Sequence, residues 1–165
     1  MYDRMKMFYM NIANECSKMS RAIRLQVGAV VVKDNNIISF SWNGTPSGWD
    51  NNCEDVEYID SFARDRLNQE EIEKKWPLID EAGRRYRLVT KPEVLHAERN
   101  ALDKLAKSHE SGQNSDLYIT HAPCLECAKS IKGAGIIHVY YKNDYRSSDG
   151  VEFLKKCGIS VEKLD

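Results

Sequence analysis

Apolar residues at Met7, Met10, Ile12, Ala13, Cys16 and Met19 follow helical spacing, so residues 2–20 are read as a helix. The pattern then tightens. "QVGAVVVK" (26–33) is rich in β-branched residues, as a buried strand would be. "DNN" turns it into a second strand, "IISFSWN" (37–43), and the two read as a hairpin. The Gly, Pro, Asn and Ser content of "GTPSGWDNNCE" predicts a loop. Residues 54–92 are the least regular stretch. They are highly charged, with "RDRLNQEEIEKKW" helical in pattern, and read as a charged helical insertion that is either a solvated surface or a lid or subunit contact.

Regular alternation resumes beyond it. "PEVLHAERNALDKLAKS" predicts an amphipathic helix with Pro92 near its start. "DLYITHA" is a strand, "CLECAKSIKGAG" a helix closed by Gly133 and Gly135, and "IIHVYYK" a strand. "DGVEFLKKCG" is a short helix and "ISVEKL" a last strand. Elements in this order predict a single α/β domain over 1–165. Its architecture is a three-layer α/β/α sandwich around a central mixed five-stranded sheet.

Composition narrows the partners. The chain has 165 residues, 42% hydrophobic and 30% charged, with formal net charge −1. No basic stripe marks a nucleic-acid binder. A small anionic substrate stays open, since a few Arg or Lys side chains suffice for it. The N-terminal segment lacks the apolar core of a signal peptide, and no stretch nears the roughly 20 apolar residues of a membrane span. A cytoplasmic protein is the expectation. The five cysteines, an odd number without a signal, argue against a disulfide framework.

The chemistry concentrates in two short motifs. "PCLEC" places Cys124 and Cys127 three apart in the first turn of one predicted helix, and "HAE" places His96 in the first turn of another. Helix N-termini favour thiolates. Two thiolates and an imidazole are three good zinc ligands that leave a fourth position open, as a catalytic zinc requires. Zinc in such a site lowers the pKa of a water. Glu98, two residues from His96 and on a different side of the helix, is free to move protons. A lone CxxC could be a redox pair, and a lone HxE a surface feature. Together they match the H-x-E … P-C-x-x-C signature of zinc deaminases. A structural zinc would need a fourth ligand, for which Cys53, Cys157, His121 and His138 qualify on composition alone.

The combination resembles the cytidine and deoxycytidylate (dCMP) deaminase family. "VGAVVVKDNNIISFSWNGTPSG", "HAERNAL", "APCLECAKSIKGAGIIHVYY" and "NDYRSSDGVEFLKKCGISVEKL" carry the resemblance, which is nearest to short phage and bacterial members. Ser41 and Trp42 depart from the usual Gly and Tyr, and 54–92 is not covered. The resemblance implies a cytidine deaminase-like fold and hydrolysis of dCMP to dUMP and ammonia. It implies that His96, Cys124 and Cys127 hold zinc and that Glu98 shuttles protons to ring nitrogen 3 as carbon 4 is attacked. The Ala97 N–H would meet the pyrimidine carbonyl, the Ala122 carbonyl the leaving amino group, and Asn43 the sugar hydroxyl. Some members carry a second, structural zinc. Cys53 falls near one of its positions but Ala22 replaces another, so one zinc is expected.

For the 5′-phosphate, Arg24, Arg21, Tyr145 and Arg146 are candidates, each weighed against an ordinary surface Arg or core Tyr. Family members are often homo-oligomers, commonly hexamers, activated by dCTP and inhibited by dTTP. Gly44, Ser47 and Gly48 in "NGTPSG" could seat such a nucleotide with Mg2+ on free backbone N–H groups, or could serve only the turn. Rival readings are a cytidine or dCTP deaminase, a tRNA adenosine deaminase, which the near-neutral charge disfavours, and a structural-zinc module, for which Glu98 would have no use.

Overall fold

The computed structural model describes residues 2–165. Helix α1 (Tyr2–Ser17) leads into β1 (Gly28–Lys33) and β2 (Asn36–Trp42). Asp34 and Asn35, at φ 49° and 60°, form the two-residue turn between them. Next come β3 (Glu54–Tyr58), α2 (Ser61–Arg66), α3 (Gln69–Lys75), β4 (Leu78–Ile79) and β5 (Arg85–Thr90). The chain ends with α4 (Ala97–Leu105), β6 (Asp116–His121), α5 (Leu125–Gly133), β7 (His138–Asn143), α6 (Asp149–Lys156) and β8 (Ser160–Lys163).

The main sheet has the order β2-β1-β6-β7-β8. β1 is antiparallel to both β2 and β6, while β6, β7 and β8 run parallel, so the sheet is mixed as expected. β1 is buried along nearly its whole length, which explains its unbroken Val run. Its side chains alternate between two cores. Val30 and Val32 join Tyr118 and Tyr140 beneath Tyr9, Met10 and Ala13 of α1. Ala29 and Val31 join Leu117, Ile119 and Val139 beneath Ala97 and Ala101 of α4, Ala128 and Ile131 of α5, and Leu154 of α6. The three layers follow from this alternation. Ser41 causes no local distortion: it pairs regularly with Ala29, and the register shifts only between Val31 and Val32.

The expectation for 54–92 needs correction. The segment is not simply helical: it forms an antiparallel sheet, order β3-β5-β4, with two short helices. The expected helix over 64–76 breaks at Asn68, whose side chain accepts from the Glu71 N–H while the Glu71 carboxylate accepts from the Asn68 N–H. Ile59, Ile72 and Trp76 give the segment its own small core. The helix expected from Pro92 begins only at Ala97. Leu95 instead bridges to Gly44 in both directions, at 3.1 and 2.8 Å.

Gly28 sets the seat of α1. A Cβ there would land on the Ala13 carbonyl oxygen and 2.6 Å from the Ser17 nitrogen, both α1 backbone atoms that cannot swing aside. Gly28→Ala should therefore cost about 3 kcal/mol of stability by overpacking. Urea unfolding should show a lowered midpoint with unchanged slope. A midpoint equal to that of the wild type would contradict this seating of α1.

Candidate metal and catalytic site

Two helix starts carry the site. His96 is the N-cap residue of α4 and Cys124 that of α5, each with extended backbone, so both lie one residue ahead of the helical turns expected for them. Cys127 follows in the first turn of α5, and its N–H donates to the Cys124 sulfur at 3.5 Å. Both helices lie on one face of the sheet and pack through small side chains, Ala97 and Ala101 on α4 and Ala128 on α5. The turn at Cys124 is also pinned from α6. A Cβ on Gly150 would meet the Pro123 carbonyl oxygen and come within 2.8 Å of the Cys124 carbonyl oxygen, so only glycine fits there.

The outcome is a compact donor set. Cys124 Sγ and Cys127 Sγ lie 3.5 and 3.4 Å from His96 Nδ1, and all three donor atoms fall within 4.8 Å of one another. Two thiols and one imidazole fit a zinc ion by donor type and spacing. Among the described residues no fourth His, Cys, Asp or Glu joins the group. Hydrogen bonds from the Cys127 thiol and from His96 push the Cys124 thiol down to about 3, while the same Cys124 neighbour and burial push Cys127 up. One thiolate thus works against a second beside it; a divalent cation favours both. Cys124, helped by the Glu98 charge, raises the His96 imidazole, against burial and the positive charge of Arg146.

Glu98 is 4% exposed, and burial pushes its carboxyl up to about 7, with its own backbone N–H and His96 pulling the other way. It lines the cavity that His96 and Cys124 face but does not join the donor group. This cavity, of about 930 Å3, brings together most of the residues expected to bind substrate: Asn43, Ala97, Ala122, Arg24, Tyr145 and Arg146. Arg21 is not part of its wall and lies instead on a neighbouring surface depression.

Asn43 is already engaged. Its Oδ1 accepts from the Val27 N–H and its Nδ2 donates to the Leu25 carbonyl, both at 2.8 Å. Each of these atoms keeps one further hydrogen-bonding position. The Gly44 N–H is not free for an anion, because it donates to Leu95; this corrects the expectation of an open backbone nest at Gly44. Ser47 and Gly48 lie in the exposed turn closed by the Trp49 N–H on the Pro46 carbonyl, with Gly48 at φ 89°. Neither they nor Gly44 line the cavity. Cys53 packs with Ala22 and Val94 as an apolar cluster, and burial pushes its thiol up.

Sequence reading missed several cavity residues. His121, half-buried with its ring nitrogen 3.1 Å from Thr120 Oγ1, stands directly before "APC" and was weighed only as a spare metal ligand. Glu54, Val89 and Thr90 come from the ends of the 54–90 sheet, where no local motif marks them.

Comparison with known proteins places this geometry. Residues 4–143 match the family model for the cytidine and deoxycytidylate deaminase zinc-binding region. The chain is 30% identical over 166 residues to the deoxycytidylate deaminase of Enterobacteria phage T2, covering 92% of this chain and 88% of the relative. It is 30% identical over 143 residues to ComE operon protein 2 of Bacillus subtilis (strain 168), covering 86% of this chain but only 61% of that protein. A solved structure of the dCMP deaminase from cyanophage S-TIM5, in complex with dCMP and dUMP, superposes with TM-score 0.76 at 41% identity. That match covers 98% of this chain and 97% of the other.

Proposed function

Since the chain belongs to the cytidine and deoxycytidylate deaminase family, we propose that it hydrolyses dCMP to dUMP and ammonia. The observation that carries this reading is the single cavity in which His96, Glu98 and Cys124 share walls with Arg24, Tyr145 and Arg146. One end offers deamination chemistry and the other offers donors for a phosphate. The cyanophage relative solved with dCMP and dUMP supports the same substrate.

In this mechanism His96, Cys124 and Cys127 hold one zinc ion, which when bound supplies an activated water. The Ala97 N–H, at the first helical position and so without an intrahelical partner, grips the pyrimidine carbonyl. The Ala122 carbonyl accepts from the exocyclic amino group. Asn43 offers its remaining amide positions to the sugar hydroxyl, and Arg24, Tyr145 and Arg146 hold the phosphate. Glu98 removes a proton from the attacking water and delivers it to ring nitrogen 3 as oxygen bonds to carbon 4. A second transfer through Glu98 protonates the amino group, the carbon–nitrogen bond breaks, and ammonia leaves a uracil ring. Burial of Glu98 keeps bulk water from competing for these protons.

Control is a further part of the proposal. A dCTP or dTTP molecule with Mg2+ against Ser47 and Gly48 would act through the Gly44–Leu95 bridge, which adjoins His96. Differential binding worth about 1–3 kcal/mol would be enough. Assembly as a homo-oligomer, with a hexamer expected, is carried by the family resemblance alone.

Three outcomes are expected. Glu98→Gln should keep the fold and the zinc but lose about 10²–10⁴-fold in kcat; near-wild-type turnover would refute the proton shuttle, and loss of zinc would make Glu98 a ligand. In ammonia-release assays, kcat/KM for dCMP should exceed that for deoxycytidine by about 10²-fold or more, through charge-assisted contacts to the phosphate. Equal values would point to a nucleoside deaminase. Saturation curves for dCMP at matched Mg2+ should shift in opposite directions with dCTP and dTTP; three superimposable hyperbolas would remove the regulatory part.

A further inference from the structure

We propose that Glu54 and Thr90 form a positioning clamp on Arg24, by which the 54–90 sheet sets the preference for a phosphorylated substrate. This rests on the dCMP reading above and assigns a task to a segment in which no sequence motif marked a role.

Residues 21–27 lie between α1 and β1 without helix or strand, so their backbone needs partners from elsewhere. Ser20 and Asn43 supply some of them. Two more come from Glu54, which is 5% exposed and whose Oε1 accepts from the N–H groups of Ile23 at 2.9 Å and Arg24 at 3.1 Å. Its other oxygen, Oε2, is buried without a partner. Burying a carboxylate half satisfied is costly, so what this side chain secures is the path of the Arg24 backbone rather than stability.

Thr90 takes hold of the other end of the same residue. Its Oγ1 accepts from Arg24 Nη1 at 3.1 Å. Glu54 and Thr90 are direct partners in the antiparallel ladder of β3 and β5. One rung of the sheet therefore fixes both the root and the tip of Arg24, and all three residues line the cavity. A free Arg side chain loses much rotamer entropy on gripping a phosphate. An Arg already held in place loses less and binds more tightly for the same contacts.

The test is a comparison of kcat and KM for dCMP and deoxycytidine in five proteins: wild type, Thr90→Val, Thr90→Ser, Arg24→Ala and the Arg24→Ala/Thr90→Val double variant. Thr90→Val should raise KM for dCMP and narrow the dCMP-to-deoxycytidine ratio of kcat/KM by about three- to tenfold, the net scale of one solvent-exposed hydrogen bond. Thr90→Ser should restore the ratio. In the Arg24→Ala background Thr90→Val should narrow it no further, because the clamp acts only through Arg24. Glu54→Ala should act in the same direction and more strongly, and Thr90→Val carries the test if that variant does not fold. A ratio unchanged by Thr90→Val, or narrowed equally with and without Arg24, overturns the clamp. So does an Arg24→Ala protein with the wild-type ratio. The substrate reading is judged separately, on the wild type alone: absence of a dCMP preference there would remove it and the clamp with it.

Discussion

Two helix starts must meet at one point for this protein to have a site, and that juxtaposition is the constraint on which the rest of the structure depends. His96 and Cys124 end extended segments and begin α4 and α5, so neither side chain is confined to a helical face. At their N-terminal ends the helices meet the sheet through alanines, Ala97 and Ala101 on α4 and Ala128 on α5, while Leu102, Leu105 and Ile131 fill the core further along. Gly150 lets α6 press directly on the turn before α5. The product is an imidazole and two thiols within 4.8 Å, in which an anionic Cys124 disfavours a second thiolate at Cys127. A cation held by these donors would favour both thiolates, so the fold and the metal favour one another.

The chemical end and the recognition end of the cavity are built differently. The donors and Glu98 sit on rigid helix starts over the shared core. The residues proposed for sugar and phosphate sit on irregular backbone, at 24, 43, 145 and 146, and the first two are held by hydrogen bonds from other parts of the chain. This division suits a hydrolytic enzyme, whose reacting groups tolerate little displacement while binding loops can vary. It also gives the 54–90 sheet a place in the site, since Glu54 and Thr90 stand where that sheet meets the cavity wall.

Sequence and structure agree where the information is local. All five strands of the main sheet were legible in the sequence, β1 from its β-branched run and β2 from the turn before it, and the donor set from two motifs of a few residues each. The strands β3, β4 and β5 were not. Their ladder joins Glu54 to Thr90 across 36 positions, and charged residues on both faces erase the usual alternation. The Asn68-to-Glu71 capping box was present in "NQEE" but was absorbed into one longer helical run. Val94 and Leu95 continued an apolar pattern back from α4, although Leu95 pairs with Gly44. Which Arg faces the cavity depended on the path of an irregular segment, so Arg21 and Arg24 could not be separated by their spacing.

The claim that organises this account is that the three donors and the deamination belong to one centre. Zinc titration of metal-stripped protein, followed by ammonia release from dCMP, addresses it most directly. The account predicts no turnover without metal, activity rising linearly with added zinc, and a sharp break at one zinc per chain. Full activity in the stripped protein, or a site that fills with zinc while dCMP stays intact, would contradict it.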